Sequence, residues 1–298
     1  MNIACVIDNK FVPYCGIMLT SLFENNRNKK LDIYILSSDL NKSAQKELLN
    51  IASLYGMMIT FCFFNKTVLK DCILTKNTYI TLATYYKLLM AEVLPETIDK
   101  VLYLDCDIIV RRSISELYTL EIENYPLAAV DETLYGDHTS DISRLSYNPV
   151  YKYFNAGVLL INLKYWRKYY LTNRFLEYVK NYPERIKYHE QDVLNAVLHD
   201  KWLALDYKWN VMSFAYQRDF YATHANMSFI VDPSIIHYTC TPKPWHIGCF
   251  HPLKSEFIKY KKMTCWRKKV YLFQGLSVTQ AIRCIWFAIT KKVNYTEL

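Results

Sequence analysis

The sequence predicts an α/β fold, a mostly parallel central sheet covered on both faces by helices, with a basic helical appendage at the C-terminal end. Three observations carry this prediction. The strand candidates are continuous apolar runs rather than alternations, as strands buried on both faces are. Helical patterns of about 10–15 residues separate them. The net charge of +8 is confined to the end of the chain: residues 254–298 hold ten Lys or Arg against Glu256 and Glu297, so the first 253 residues are neutral overall.

The first run, Ile3-Ala4-Cys5-Val6-Ile7, ends at Asp8. Pro13 to Phe23 follows, with Met18, Leu19, Leu22 and Phe23 at helical spacing. Leu31 to Leu36 reads as a second strand, and Asn41-Lys42-Ser43 opens a helix through Leu49, Ile51 and Leu54. Met58 to Phe63 is the third strand. Thr81 to Val93 reads as a helix with Leu82, Tyr85, Tyr86, Leu89 and Val93 on one stripe, and Lys100 to Leu104 as the fourth strand. Ligands in such sheets bind beyond the carboxyl ends of the strands. Asp8, Asp105 and Asp131 each follow an apolar run at such an end.

With 298 residues the chain suits one large domain with an appendage, and no linker or internal repeat interrupts it before a boundary near residue 250. A hydrophobic content of 52% against 21% charged residues excludes general disorder. The six glycines form neither G-x-G-x-x-G nor G-x-x-x-x-G-K-[ST], which excludes dinucleotide and P-loop phosphate cradles. A carboxylate, Asp8, within the first eight residues argues against a signal peptide, and no apolar stretch approaches the roughly 20 residues of a membrane span. The expected location is the cytosol. Nine cysteines without a C-x-x-C pair fit free thiols in a reducing compartment better than a disulfide framework. The basic tail is interleaved with aromatic residues, as in Trp266-Arg267-Lys268-Lys269-Val270-Tyr271-Leu272-Phe273. Such a segment suits an anionic membrane surface. Nothing in the first 253 residues supports nucleic-acid binding.

Asp105-Cys106-Asp107 lies between two apolar stretches. Two carboxylates at i and i+2 near a strand end point to one side and can hold one hard cation, whereas unpaired they repel. D-x-D alone is not specific, because phosphatases of the haloacid dehalogenase type also place it after a strand. Their motif usually continues with Thr or Val where this chain has Ile109, and no matching later acidic pair is found. His237 follows the apolar run Ser234-Ile235-Ile236, and Lys243 follows between Pro242 and Pro244. A neutral imidazole can complete a metal site begun by two carboxylates, and the lysine offers a point charge to a phosphate oxygen.

Taken together, Lys100–Asp107, Phe154-Asn155-Ala156-Gly157 with the apolar run to Leu163, Gln191-Asp192-Val193-Leu194-Asn195, and His237…Lys243-Pro244-Trp245 resemble family 8 glycosyltransferases, which include glycogenin and bacterial lipopolysaccharide galactosyl- and glucosyltransferases. The resemblance spans residues 3 to about 250. It implies a GT-A fold over 1–250, a membrane-attachment segment over 251–298, and retaining transfer of a hexose from a UDP-sugar to a glycan or lipid-linked acceptor at the inner face of the membrane. It also implies dependence on Mn²⁺, with Mg²⁺ as the alternative ion. Asp105, Asp107 and His237 match the metal ligands, Lys243 the residue binding the diphosphate, and Asp8 the acid reading the uracil. Asp131, Asn155, Ala156, Gly157 and Gln191 match positions lining the donor sugar, with Gln191 and Asp131 as the catalytic candidates. Three positions depart from the pattern: Cys240 replaces a Gly near the pyrophosphate, Lys87 replaces an Arg at the sugar or phosphate, and Glu190 replaces an Asp.

Overall fold

The computed structural model describes residues 1–64, 66–69, 82–269, 271, 273 and 276–290, without the side chains of 66, 68, 82, 83, 218 and 287. Thr81, Val270, Leu272, Lys291, Lys292 and Glu297 lie outside the described residues, as does the side chain of Leu82.

β1 (Asn2–Val6), β2 (Asp32–Ser37) and β3 (Met58–Phe63) pair in parallel, joined by the helices α1 (Val12–Glu24) and α2 (Lys42–Leu54). Asn41 caps α2, its side chain accepting from the Ala44 amide at 2.9 Å. The segment expected as one helix from Thr81 to Val93 divides into a 3₁₀ stretch, Leu82–Leu89, and α3 (Met90–Val93). Tyr85, Tyr86, Lys87, Leu88 and Leu89 are all buried, so this segment is enclosed on every side rather than along one stripe. The tighter turn accompanies that enclosure.

β4 (Lys100–Leu104) returns beside β1, and Asp105-Cys106-Asp107 then carries the chain out of this sheet into β5 (Ile108–Val110) of another. After α4 (Ser115–Thr119) come β6 (Leu127–Asp131), α5 (Thr139–Leu145), β7 (Phe154–Asn162), α6 (Leu163–Lys168), α7 (Leu171–Asn181), α8 (His189–Leu198) and β8 (Leu203–Ala204). The seven-stranded sheet has the order β3-β2-β1-β4-β7-β6-β8, parallel except for β7. β9 (Val211–Met212), the helices α9 (Arg218–His224) and α10 (Ser228–Val231), and β10 (Ile235–His237) complete a three-stranded sheet, β5-β10-β9.

Alternation on the central strands fills two cores. Leu102 and Leu104 face one with α1 and α2, while Val101 and Tyr103 face the other with the 82–93 segment and α6 to α8. Both faces are therefore covered, as the apolar runs require.

The segment expected as a single appendage divides. Phe257 and Tyr260 of α11 (Lys254–Lys262) and the following Trp266 join the core of the first 250 residues. A Cβ on Gly16 of α1 would meet Trp266 Cζ3 at 2.1 Å, so glycine there gives the indole its place. α12 (Val278–Thr290) touches the body where the Cys284 backbone nears Gly248. Much of the outward surface of α12 is apolar: Val278, Ile282 and Ile289 are 78%, 62% and 76% exposed, beside the exposed Thr279 and Arg283. No helix among the described residues is long and apolar enough to cross a membrane.

Candidate metal and donor site

The sheet registers assemble this site. β7 runs antiparallel to β4, so its first residues lie at the carboxyl end of β4: Leu104 pairs with Val158, and the Asp105 amide donates to the Gly157 carbonyl at 2.9 Å. β10 runs antiparallel to β5, pairing His237 with Ile108, and the Tyr238 amide donates to the Asp107 carbonyl at 3.0 Å. Three segments distant in sequence thus meet at one edge. Asp105, Asp107 and His237 offer ligand atoms that all lie within 4.8 Å of one another. His237 Nε2 is 3.2 Å from Asp107 Oδ1 and 3.8 Å from Asp105 Oδ2.

Gly157 is required by this approach. A Cβ there would sit 2.2 Å from His237 Cε1 and 3.0 Å from Asp105 Oδ2. Asn210, fully buried, holds the other side of the imidazole: its Oδ1 is 2.9 Å from His237 Nδ1, while its Nδ2 donates to Asn155 Oδ1 at 2.8 Å. Asn155 Oδ1 also accepts from the Gly157 amide at 2.9 Å. With the Asn210 amide so oriented, Nδ1 is the donor in that contact and Nε2 is the nitrogen turned toward the carboxylates.

Each carboxylate has its own lysine. Lys243, buried, donates to Asp107 Oδ2 at 2.7 Å and to the Tyr238 and Thr239 carbonyls at 2.5 and 3.0 Å. Burial disfavours the Asp107 charge, yet Lys243 and His237 outweigh it and hold that carboxyl well below the usual range. Lys87, equally buried, lies 3.5 Å from Asp105 Oδ1, which also accepts from the Tyr103 hydroxyl at 2.5 Å. Here burial dominates, reinforced by the Asp107 charge, and Asp105 is pushed up although its side chain keeps 31% of its surface exposed. The pair is asymmetric before any cation arrives.

Two departures noted in the sequence prove to be partners. Lys87 Nζ donates to Glu190 Oε1 at 2.8 Å and to the Ala156 carbonyl at 2.8 Å, and Thr84 bonds the other Glu190 oxygen. The Lys87 ammonium is thereby engaged behind the site. The third, Cys240, is half-buried in the loop after β10, its sulfur 4.0 Å from both Gln217 Nε2 and Thr239 Oγ1, and burial pushes its thiol up. Trp245 anchors that loop by stacking on Tyr14 of α1, the ring centroids 3.8 Å apart.

α8 begins at His189, a non-glycine residue at φ 53°, which points Glu190 and Gln191 at the start of β7. Gln191 Oε1 accepts from the Ala156 amide at 2.9 Å, and its Nε2 donates to Glu132 Oε2 at 3.0 Å and the Tyr153 hydroxyl at 3.2 Å. Asp131, expected beside it, joins none of these residues by a hydrogen bond: its oxygens take the Thr133 amide and hydroxyl, Lys152 and Tyr207. Asp8 stands past the end of β1, where Oδ1 accepts from the Lys10 and Phe11 amides at 2.8 and 3.1 Å and fixes the turn into α1. Sequence reading missed Asn210 and Glu132, which lie outside every recognisable motif. A cavity of about 600 Å³ lined by Lys100, Asn162, Lys164 and Tyr165 opens at the start of β4, away from this set.

The sequence profile of glycosyl transferase family 8 matches residues 2–248. The chain belongs to that family. Among its relatives, General stress protein A of Bacillus subtilis is 26% identical, with 89% of this chain and 94% of the relative aligned. A lipopolysaccharide 1,2-glucosyltransferase of Escherichia coli K12 is 30% identical over 88% of this chain and 77% of its own. The crystal structure of galactosyltransferase LgtC with donor and acceptor sugar analogues superposes with a TM-score of 0.78 at 24% identity, covering 89% of this chain and 96% of that one. The fold is of the GT-A kind, and a member of this family is a glycosyltransferase.

Proposed function

We propose that the protein is a retaining hexosyltransferase that moves galactose or glucose from a UDP-sugar to a glycan acceptor, a lipopolysaccharide or capsule precursor. The observation carrying this reading is the meeting of Asp105, Asp107 and Nε2 of His237 at the carboxyl end of β4. Two carboxylate oxygens and one imidazole nitrogen suit Mn²⁺, with Mg²⁺ the alternative, and the contact of Nδ1 with Asn210 keeps Nε2 as the nitrogen that would face it. Bound there, the ion would offset the charge developing on the departing diphosphate.

The other residues then have defined work. Lys243, paired with Asp107 in the free chain, turns to a diphosphate oxygen once Asp107 is neutralised. Asp8 reads the uracil from the end of β1, while Asn155, Ala156, Gly157 and Gln191 line the sugar. Because Gln191 Oε1 is hydrogen-bonded to the Ala156 amide, Gln191 acts as a wall rather than a nucleophile. The acceptor hydroxyl attacks C1 on the face that UDP leaves. The bond from C1 to the phosphate oxygen breaks, and the hydroxyl proton passes to that oxygen.

A glucosyltransferase and a galactosyltransferase among the relatives support a hexose donor, and the lipopolysaccharide enzyme supports that acceptor class. The exposed apolar residues of α12, with the basic residues that flank it in the sequence, support attachment to an anionic membrane at its inner face. The test is UDP release from a panel of UDP-sugars with Mn²⁺, with and without EDTA. Metal-dependent release from UDP-galactose or UDP-glucose is expected. Absence of both turnover and UDP binding would overturn the reading.

A further inference from the structure

Glu132 follows Asp131 at the end of β6, and the two carboxylates part. Both oxygens of Asp131 are taken by Thr133, Lys152 and Tyr207. Glu132 turns into the candidate site, where Oε2 accepts from Asn155 Nδ2 at 3.2 Å and from Gln191 Nε2 at 3.0 Å. Only 8% of Glu132 is exposed. Among the described residues no hydrogen bond reaches its Oε1 and no ion pair compensates its charge, yet Oε1 is not among the atoms sealed from solvent. Burial pushes this carboxyl up, opposed by His138 and by the amide of Asn155.

A carboxylate oxygen that reaches solvent and takes no donor from the protein is open to a donor from a ligand. We propose that Glu132 reads the donor hexose: Oε2 holds the side chains of Asn155 and Gln191, and Oε1 accepts a hydrogen bond from a sugar hydroxyl. This rests on the sugar-nucleotide reading above. The chemistry selects the ligand group, since an ionised carboxylate only accepts and repels phosphate, while a hexose offers hydroxyl donors. The position agrees. From His237 the hydrogen bonds run through Asn210 and Asn155 to Glu132, so Glu132 adjoins Asn155, which would line the sugar, and two side chains separate it from the residue that would face the ion. Glu132 also orders Gln191: by taking Nε2 it leaves Oε1 for the Ala156 amide.

The test is calorimetric titration, in Mn²⁺, of UDP, UDP-galactose, UDP-glucose and their monodeoxy analogues into the wild type and Glu132→Gln. In the variant the amides of Asn155 and Gln191 claim the one oxygen of the new side chain, turning its NH₂ toward the sugar. UDP affinity is expected to stay within about two-fold, because nothing that Glu132 touches faces the nucleotide. The preferred UDP-hexose should weaken about ten-fold or more, and the deoxygenation that costs the wild type should cost the variant nothing. Equal UDP-hexose affinity in both proteins overturns the inference while leaving the family reading intact. So does a wild type that tolerates every deoxygenation within two-fold, a result independent of how the variant folds. A wild type that binds no UDP overturns the sugar-nucleotide reading itself.

Discussion

The side-chain oxygen of Asn210 lies 2.9 Å from Nδ1 of His237, and that contact sets which imidazole nitrogen faces Asp105 and Asp107. Without it the ring is free to turn and to exchange its proton between the two nitrogens. Asn210→Ala is expected to weaken Mn²⁺ binding about 10–100-fold. It should also cost about 1–3 kcal/mol of stability, because Asn210 is fully buried and its partner on His237 loses an acceptor. Calorimetric metal titration and urea unfolding measure the two effects, and an unchanged metal affinity would falsify the orienting role.

Lys87 is 1% exposed and stands between Asp105 and Glu190. Removing it leaves two acids near each other without their cation. Lys87→Met should destabilise the protein by about 3–5 kcal/mol, as loss of one partner from a buried pair does. Lys87→Arg should also be damaging, by about 1–3 kcal/mol of overpacking, since the ammonium is closed in by the Ala156 carbonyl and lies 4.3 Å from the Tyr103 ring centroid. Denaturant melts of both variants decide this. Near-wild-type stability of Lys87→Met would mean the acids do not depend on it.

These residues mark what the sequence could and could not disclose. Asp105 and His237 could be singled out because each ends an apolar run, Asp107 by its spacing from Asp105, Gly157 by the motif that opens an apolar run, and Lys243 by the prolines on either side of it. Asn210 and Glu132 could not, since a lone buried amide or acid resembles any other until the fold places it. The parallel strands β1 to β4 were read from their apolar runs, whereas the short runs of β5 and β10 disclose no pairing and β9, at two residues, carries too little pattern to register. The antiparallel direction of β7 is also invisible in composition, though it is what brings Gly157 to Asp105.

His251 is buried between Tyr216 and Tyr238, and burial pulls its imidazole down to about 4. The unfolded chain therefore takes up a proton as pH falls below about 6.5 while the folded chain does not until near 4. Stability present at pH 7 is thus lost on acidification across that window, by about 2 kcal/mol between pH 7 and pH 5. His251→Phe should flatten this part of the profile. Urea midpoints at the two pH values provide the measurement, and an equal slope in both proteins would exclude His251 as the cause.

Membrane attachment is expected to reside in α12 rather than in the whole basic segment, because Phe257, Tyr260 and Trp266 belong to the core. A chain ending at residue 276 should stay folded and leave anionic vesicles, while transfer to a soluble acceptor persists. Cutting at residue 253 should instead unfold the protein. Co-sedimentation with vesicles, with and without anionic lipid, separates these outcomes, and undiminished binding by the chain ending at residue 276 would exclude α12 as the attachment site.

Asp105, Asp107 and His237 are proposed to form one metal site whose shape depends on Gly157. Its most direct test is Mn²⁺ titration in the presence of UDP, followed by the loss of the free-ion electron paramagnetic resonance signal, for the wild type, Asp107→Ala and Gly157→Ala. One ion per wild-type chain is expected, and none at the same concentration for either variant. Gly157→Ala is the sharper of the two, because it keeps all three ligands and only pushes His237 from its place. Wild-type affinity in Gly157→Ala, or no uptake by the wild type, would contradict the proposed site.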